Sequence, residues 1–101
     1  MIIKAEKIII ITERIISSRI VDYLESLGIK AYTIYQDVSG QGVRGMRSIS
    51  GGLSRFGENI RIEIIIEDKE QANDVAEKIY LKYFKSKYAG IVYIEEIRLI
   101  K

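Results

Sequence analysis

The residues best equipped for chemistry sit together in Ser39-Gly-Gln-Gly-Val-Arg-Gly-Met-Arg-Ser-Ile-Ser-Gly-Gly-Leu-Ser-Arg-Phe-Gly57. Six of the eight glycines fall there, with Arg44, Arg47, Arg55 and four serines, and with no Asp, Glu or Lys. Glycine lets a backbone turn its N–H groups toward a bound anion. Arginine adds a planar, permanently charged fork that matches phosphate. Arg44 and Arg47, three apart between glycines and without a carboxylate to pair with, favour an anionic ligand over mere solvation. Arg55 lies apart from that cluster and reads as a solvent or partner contact. A structureless stretch this long inside a small domain is uncommon and signals function or disorder.

Composition removes many other chemistries. Histidine and cysteine are absent, which excludes disulfides, thiolate nucleophiles, the commonest metal ligand and the usual general base. No catalytic or metal-binding residues are expected. The net charge of +2 is too small for a generic nucleic-acid binder. Since the 39–57 stretch alone carries +3, the remainder sums to −1 and the stretch is the one electropositive feature. No apolar run approaches the roughly 18 residues of a membrane span. Glu6 and Lys7 interrupt the short apolar start, so no signal peptide is read and a cytoplasmic protein is expected.

The elements that must position this stretch follow from periodicity. A β-branched run from Lys7 to Glu13 predicts a central strand covered on both sides. From Arg14, the spacing of Ile16, Ile20, Tyr23, Leu24 and Leu27 predicts an amphipathic helix, with Thr12 as N-cap and Gly28 at its left-handed C-terminus. Residues 29–38 read as a second strand. Ile60, Ile62, Ile64 and Ile66 alternate with Arg61 and Glu63 in a third. Asp68 and Gln71 form a capping-box pattern ahead of a helical stripe of Ala72, Val75, Ala76, Ile79, Tyr83 and Phe84. Lys82, Lys85 and Lys87 complement its dipole. A last strand runs from Ile91 to Ile100. The order β-α-β-β-α-β predicts an α+β, ferredoxin-like single domain over 1–101, with two helices on one face of an antiparallel four-stranded sheet.

Two helices cover only one sheet face. Ile65, Val92 and Tyr93 cannot all meet them, so apolar residues are left for the other face. Closed cyclic assembly with the sheets turned inward solves this most simply, and a homotrimer is expected.

The segments 30–33 (Lys-Ala-Tyr-Thr), 40–48 (Gly-Gln-Gly-Val-Arg-Gly-Met-Arg-Ser), 58–63 (Glu-Asn-Ile-Arg-Ile-Glu) and 82–94 (Lys-Tyr-Phe-Lys-Ser-Lys-Tyr-Ala-Gly-Ile-Val-Tyr-Ile) occur in an order that resembles the PII-like signal proteins, closest to the SbtB-type branch associated with inorganic-carbon uptake. The resemblance implies a ferredoxin-like homotrimer, not an enzyme, with adenine nucleotides (AMP, ADP, ATP or cyclic AMP) in clefts between subunits and with bicarbonate as a possible co-ligand. It makes 39–57 the T-loop, which docks on a partner such as a membrane transporter, and 86–90 the B-loop. By position, Arg44 and Arg47 would hold phosphates, and Gly40, Gln41 and Gly42 would shape the approach. Tyr88, Ala89 and Gly90 would present B-loop backbone. Thr33, Ile34 and Glu63 would lie near adenine and ribose. Ser48, Ile49, Leu53, Arg55 and Phe56 would face the partner. The chain departs from the nitrogen-regulatory members in lacking their glycine-rich B-loop with a lysine and their C-terminal arginine pair. The 39–57 stretch has no tyrosine, so uridylylation there is not expected.

Some residues keep plainer readings. Tyr88 and Tyr93 fit core or interface aromatics better than adenine-stacking groups. Glu63 needs a partner, which Arg61, Arg98 or a ligand would supply. Asn59 closes the loop onto backbone, and Glu95 and Glu96 are solvated. Among competing functions, RNA binding needs exposed aromatics on the central strands, which are absent here, and no nucleic-acid partner is expected. An acylphosphatase-like enzyme needs a phosphate loop near the N-terminus, where this first strand passes directly into its helix. A trimeric CutA-like metal-binding protein or an ACT-like sensor leaves the Gly/Arg stretch unexplained.

Overall fold

The computed structural model describes residues 1–38 and 59–101. Strand β1 (Ile2–Glu13) starts at Ile2 rather than at the expected Lys7. Its extra length comes from β4 (Gly90–Ile100), which pairs with it antiparallel from Ile2↔Ile100 to Thr12↔Gly90. Strand β3 (Asn59–Ile66) lies along its other side, from Glu6↔Ile66 to Glu13↔Asn59. β1 is therefore central, as an unbroken isoleucine run requires. Strand β2 (Thr33–Val38) adds to β3, with a register shift between Tyr35 and Val38, and completes the order β2-β3-β1-β4. The described residues thus form the expected four-stranded antiparallel sheet in a βαββαβ order.

Between β1 and the helix α1 (Ser17–Ser26) the chain makes a single 3-10 turn, Arg14–Ile16. Thr12 does not cap this helix, contrary to expectation. The strand runs one residue past it and the turn intervenes, so its hydroxyl is out of reach of the α1 amides. Neither start carries a side-chain cap. The other end is as expected. Gly28 has φ +87°, its N–H reaches the Glu25 carbonyl, and the Ile29 N–H reaches that of Leu24, both at 3.0 Å. This is the Schellman arrangement, which a Cβ at the left-handed position disfavours. Ile29 consequently belongs to the helix exit, buried beside Leu24, and β2 begins later than expected, at Thr33.

Helix α2 (Lys69–Ile79) is capped by Asp68, whose carboxylate accepts the Gln71 N–H at 2.7 Å. It buries Ala72, Val75, Ala76 and Ile79. These meet Ile60, Ile62, Ile64 and Ile66 of β3, Ile8 and Ile10 of β1, and Ile16, Ile20 and Leu24 from the first helical segment. Val92 and Ile94 pack against the same core, so Val92 faces the helices and needs no other cover.

Among the described residues, no helix covers the opposite sheet face. Register places Tyr35, Arg61, Ile11 and Ile91 in one row across it, and Thr33, Glu63, Ile9 and Tyr93 in the next. Ile9 is fully buried between its neighbours, whereas Ile65 (48%), Ile91 (51%) and Tyr93 (40%) are exposed. At the far end of the sheet the two chain ends meet: the Met1 ammonium donates to the Lys101 carbonyl at 2.7 Å, and the Lys101 N–H to the Met1 carbonyl at 2.9 Å.

Candidate functional site

Beyond Ile79, helix α2 widens into a π-helical turn, Tyr80–Phe84. The Lys85 N–H bonds the Tyr80 carbonyl at 2.9 Å, and the Tyr88 N–H bonds that of Tyr83 at 2.9 Å. Such wide turns are rare, and inside helices they concentrate at functional sites. Here the widening lets the consecutive Tyr83 and Phe84 both turn toward the core. Tyr83 is buried, packs edge-on against Tyr23 with ring centres 6.0 Å apart, and donates its hydroxyl to the Arg19 carbonyl at 3.1 Å. Burial is the main cause that raises its pKa, and the nearby Tyr23 adds to it.

The residues expected to form the B-loop follow directly. Arg19 donates to the Tyr88 hydroxyl at 2.7 Å, and the Tyr88 ring lies 6.3 Å from that of Tyr83. Ala89 is buried, and its carbonyl accepts the Thr12 hydroxyl at 2.7 Å. A Cβ on Gly90 would stand less than 3.0 Å from the Phe84 ring, so glycine is needed there for a close approach. Beside this turn, Arg19, Lys82 and Lys87 line a groove of about 490 Å³ with Tyr23, Tyr83 and Tyr88. The Lys82 ammonium lies 4.8 Å from the centre of the Tyr23 ring, a cation–π contact rather than simply a charge at the helix end.

Thr33, Ile34 and Glu63 lie on the β2–β3 side. Thr33 and Glu63 are directly opposite each other, on the uncovered face. Alternation puts Ile34 on the other face, half-buried against the core. Arg61 is the partner of the Glu63 carboxylate. Its guanidinium lies 5.4 Å from the centre of the Tyr35 ring, and the Tyr35 hydroxyl donates to Glu63 at 3.4 Å. The hydrogen bond to Glu63 is the main cause that raises the Arg61 pKa. The Arg61 Nε–H is buried and has no acceptor among the described residues. Tyr93 lies on the same face, in the row of Glu63. Glu95 and Glu96 make exposed pairs with Lys7 and Lys69, each at 3.5 Å.

The structure therefore places the expected residues in two groups. Tyr88, Ala89 and Gly90 flank the β4 edge, whereas Thr33 and Ile34 form the β2 edge with Glu63 beside them. Three strand spacings, about 14 Å, separate the two edges within one chain. Both Gly90 and the exit of β2 lie at the same end of the sheet, because Thr12 pairs with Gly90 while Glu13, Asn59 and Val38 align across it. Gly40, Gln41, Gly42, Arg44 and Arg47 lie outside the described residues, as do Ser48, Ile49, Leu53, Arg55 and Phe56. Thr12, Arg19 and Phe84 were not expected at the turn over 88–90. Their partners are 77, 69 and 6 positions away, and no local pattern signals the first two.

Among the described residues, no helix is long and apolar enough to cross a membrane. The family model described as nitrogen regulatory protein P-II matches residues 5–101. A PII-like signaling protein from Thermus thermophilus is 31% identical, with 98% of this chain and 92% of that one covered and a TM-score of 0.73. CPII from Thiomonas intermedia, a nitrogen regulatory PII-like protein solved with ADP, AMP and bicarbonate, is 23% identical over 98% of both chains, with a TM-score of 0.77. The GlnK–ATP complex of B. subtilis is 22% identical over 93% of this chain and 82% of that one, with a TM-score of 0.59. At these last two identities the likeness concerns the fold. The match over nearly the whole chain, with an antiparallel βαββαβ sheet, makes this chain a member of the nitrogen regulatory P-II family of non-enzymatic signalling proteins.

Proposed function

We propose that this protein is a nucleotide-responsive regulator of the SbtB-like kind: it binds an adenine nucleotide between the subunits of a cyclic homotrimer and signals through residues 39–57. One observation carries the reading: Tyr88, Ala89 and Gly90 lie at the β4 edge and Thr33 and Ile34 on the opposite, β2 edge, and the exit of β2 lies at the same end of the sheet as Gly90. A single chain cannot close a site from them, whereas the β4 edge of one copy set against the β2 edge of the next does. Such a heterologous contact closes into a ring when the rotation allows. The exposed Ile65, Ile91 and Tyr93 then turn toward the ring's interior, and the Arg61 Nε–H, which has no acceptor among the described residues, gains access to one on another copy.

In this reading Arg44 and Arg47 hold the phosphates, with Gly40, Gln41 and Gly42 at their approach. Tyr88, Ala89 and Gly90 line one wall, and Thr33, Ile34 and Glu63 belong to the other. The choice of adenine nucleotide is supported by the ligands of CPII and GlnK, and bicarbonate is a second candidate ligand for the same reason. Ser48, Ile49, Leu53, Arg55 and Phe56 face the regulated partner, a membrane transporter such as one for bicarbonate, which the protein reaches from the cytoplasm. Titration calorimetry with AMP, ADP, ATP and cyclic AMP, with and without bicarbonate, tests this. Saturable binding with one site per chain is expected. No heat from any of the four at millimolar concentration removes the reading.

A further inference from the structure

Thr12 stands near the end of β1, fully buried on the helix-covered side of the sheet. Its hydroxyl donates to the Ala89 carbonyl at 2.7 Å. A buried carbonyl without a donor loses more than an ordinary hydrogen bond contributes, so this bond fixes how the Ala89 peptide is turned. A trans peptide is planar, with its carbonyl and the following N–H pointing in opposite directions. Holding the Ala89 oxygen inward therefore also sets the Gly90 N–H. The flanks are held as well: the Tyr88 backbone by the Tyr83 carbonyl, its phenol by Arg19, and the Gly90 α-carbon by the Phe84 ring. Of these restraints, only Thr12 grips the peptide between Ala89 and Gly90. It also pairs with Ile60 across the sheet, so it ties the orientation of the turn to the strand that carries Glu63.

We propose that Thr12 is a positioning residue of the nucleotide cleft: it sets the Ala89–Gly90 peptide in the orientation that receives the nucleotide, without touching the nucleotide itself. The inference rests on the nucleotide reading above. Holding the turn in place before the ligand arrives raises affinity, because binding then has less ordering to do.

The test compares the intact protein with Thr12→Val, which keeps the side-chain shape and removes the donor, and with Thr12→Ser, which keeps the donor. Calorimetry with AMP, ADP and ATP should show binding about tenfold weaker for Thr12→Val, with Thr12→Ser close to the parent. Amide exchange followed by mass spectrometry should speed up in the peptide covering 88–91 of Thr12→Val while the α1 and β3 peptides stay unchanged, a local effect that general destabilisation would not give. If the parent binds nucleotide and Thr12→Val binds it equally well, the positioning role is overturned and the nucleotide reading stands. If the parent binds none of the three, the nucleotide reading falls and takes the positioning role with it. Should Thr12→Val not fold, NMR titration of the parent decides: the Thr12 side-chain and Gly90 amide signals must shift together on adding the nucleotide that binds, and their constancy overturns the proposal.

Discussion

Gly90 lies so close to Phe84 that a methyl group on its α-carbon would fall less than 3.0 Å from three atoms of the ring. Phe84 reaches this position because the π-helical turn swings it toward the start of β4. Gly90→Ala should therefore lower unfolding stability by about 1–3 kcal/mol, the usual cost of overpacking. Phe84→Leu made in the same chain should return part of that loss. Urea denaturation of the two single variants and the double variant checks this, and strictly additive effects would show that the two residues are not coupled.

The Arg61–Glu63–Tyr35 cluster should matter more than the surface pairs. Glu63→Ala removes a carboxylate that is only 15% exposed together with its bond to Arg61, and should cost about 1.5–3 kcal/mol. Glu95→Ala, which breaks an exposed pair with Lys7, should cost less than about 1 kcal/mol. Denaturant midpoints measured at low and high salt separate the two. Equal losses would mean that the burial of Glu63, relative to Glu95, does not raise the value of its bond.

Assembly should fail when charge is placed on the uncovered sheet face. Ile65→Glu combined with Tyr93→Lys alters two residues that are exposed in a single chain. Light scattering should give about 35 kDa for the parent, three chains of 11.6 kDa, and a smaller mass for the double variant, with far-UV circular dichroism retained. A parent that already runs as one subunit would remove the trimer.

Arg44→Ala and Arg47→Ala should each weaken adenine-nucleotide binding by one to two orders of magnitude, since a charge-assisted bond is worth about 1.5–3 kcal/mol. The melting temperature of the free protein should hardly move. Calorimetry beside differential scanning calorimetry checks both halves of the expectation.

Tyr83 gives the protein an alkaline limit. Its folded-state pKa is raised, first by burial, so the neutral phenol is favoured by the fold. That contribution is complete below the unfolded tyrosine pKa of about 10 and is lost as pH climbs from there through the higher folded value. Tyr83→Phe should flatten the fall in stability above pH 10, at the cost of the bond to the Arg19 carbonyl. Denaturant midpoints across that range measure the slope.

Those parts of the fold written in local patterns are legible in the amino-acid sequence. Isoleucines at 60, 62, 64 and 66 announced their shared face, Gly28 its helix exit, and Asp68 with Gln71 the start of α2. Arg61 was already a candidate partner for Glu63, two residues away on the same face. The Thr12 bond to Ala89 was not legible, because a hydroxyl next to a helix start looks like a cap and its acceptor is 77 residues away. The first residues of β1 were missed for a related reason: their strand character comes from pairing with β4, not from their own composition. The π-helical turn was hidden too, since a stripe spaced for an ordinary helix already placed Tyr83 and Phe84 near the core.

The two backbone bonds between Met1 and Lys101 have a practical use. A short linker across that corner would make the chain circular without bending β1 or β4. Joining the ends takes conformational freedom from the unfolded chain and leaves the folded sheet as it is, so the circular form should resist unfolding better than the open one.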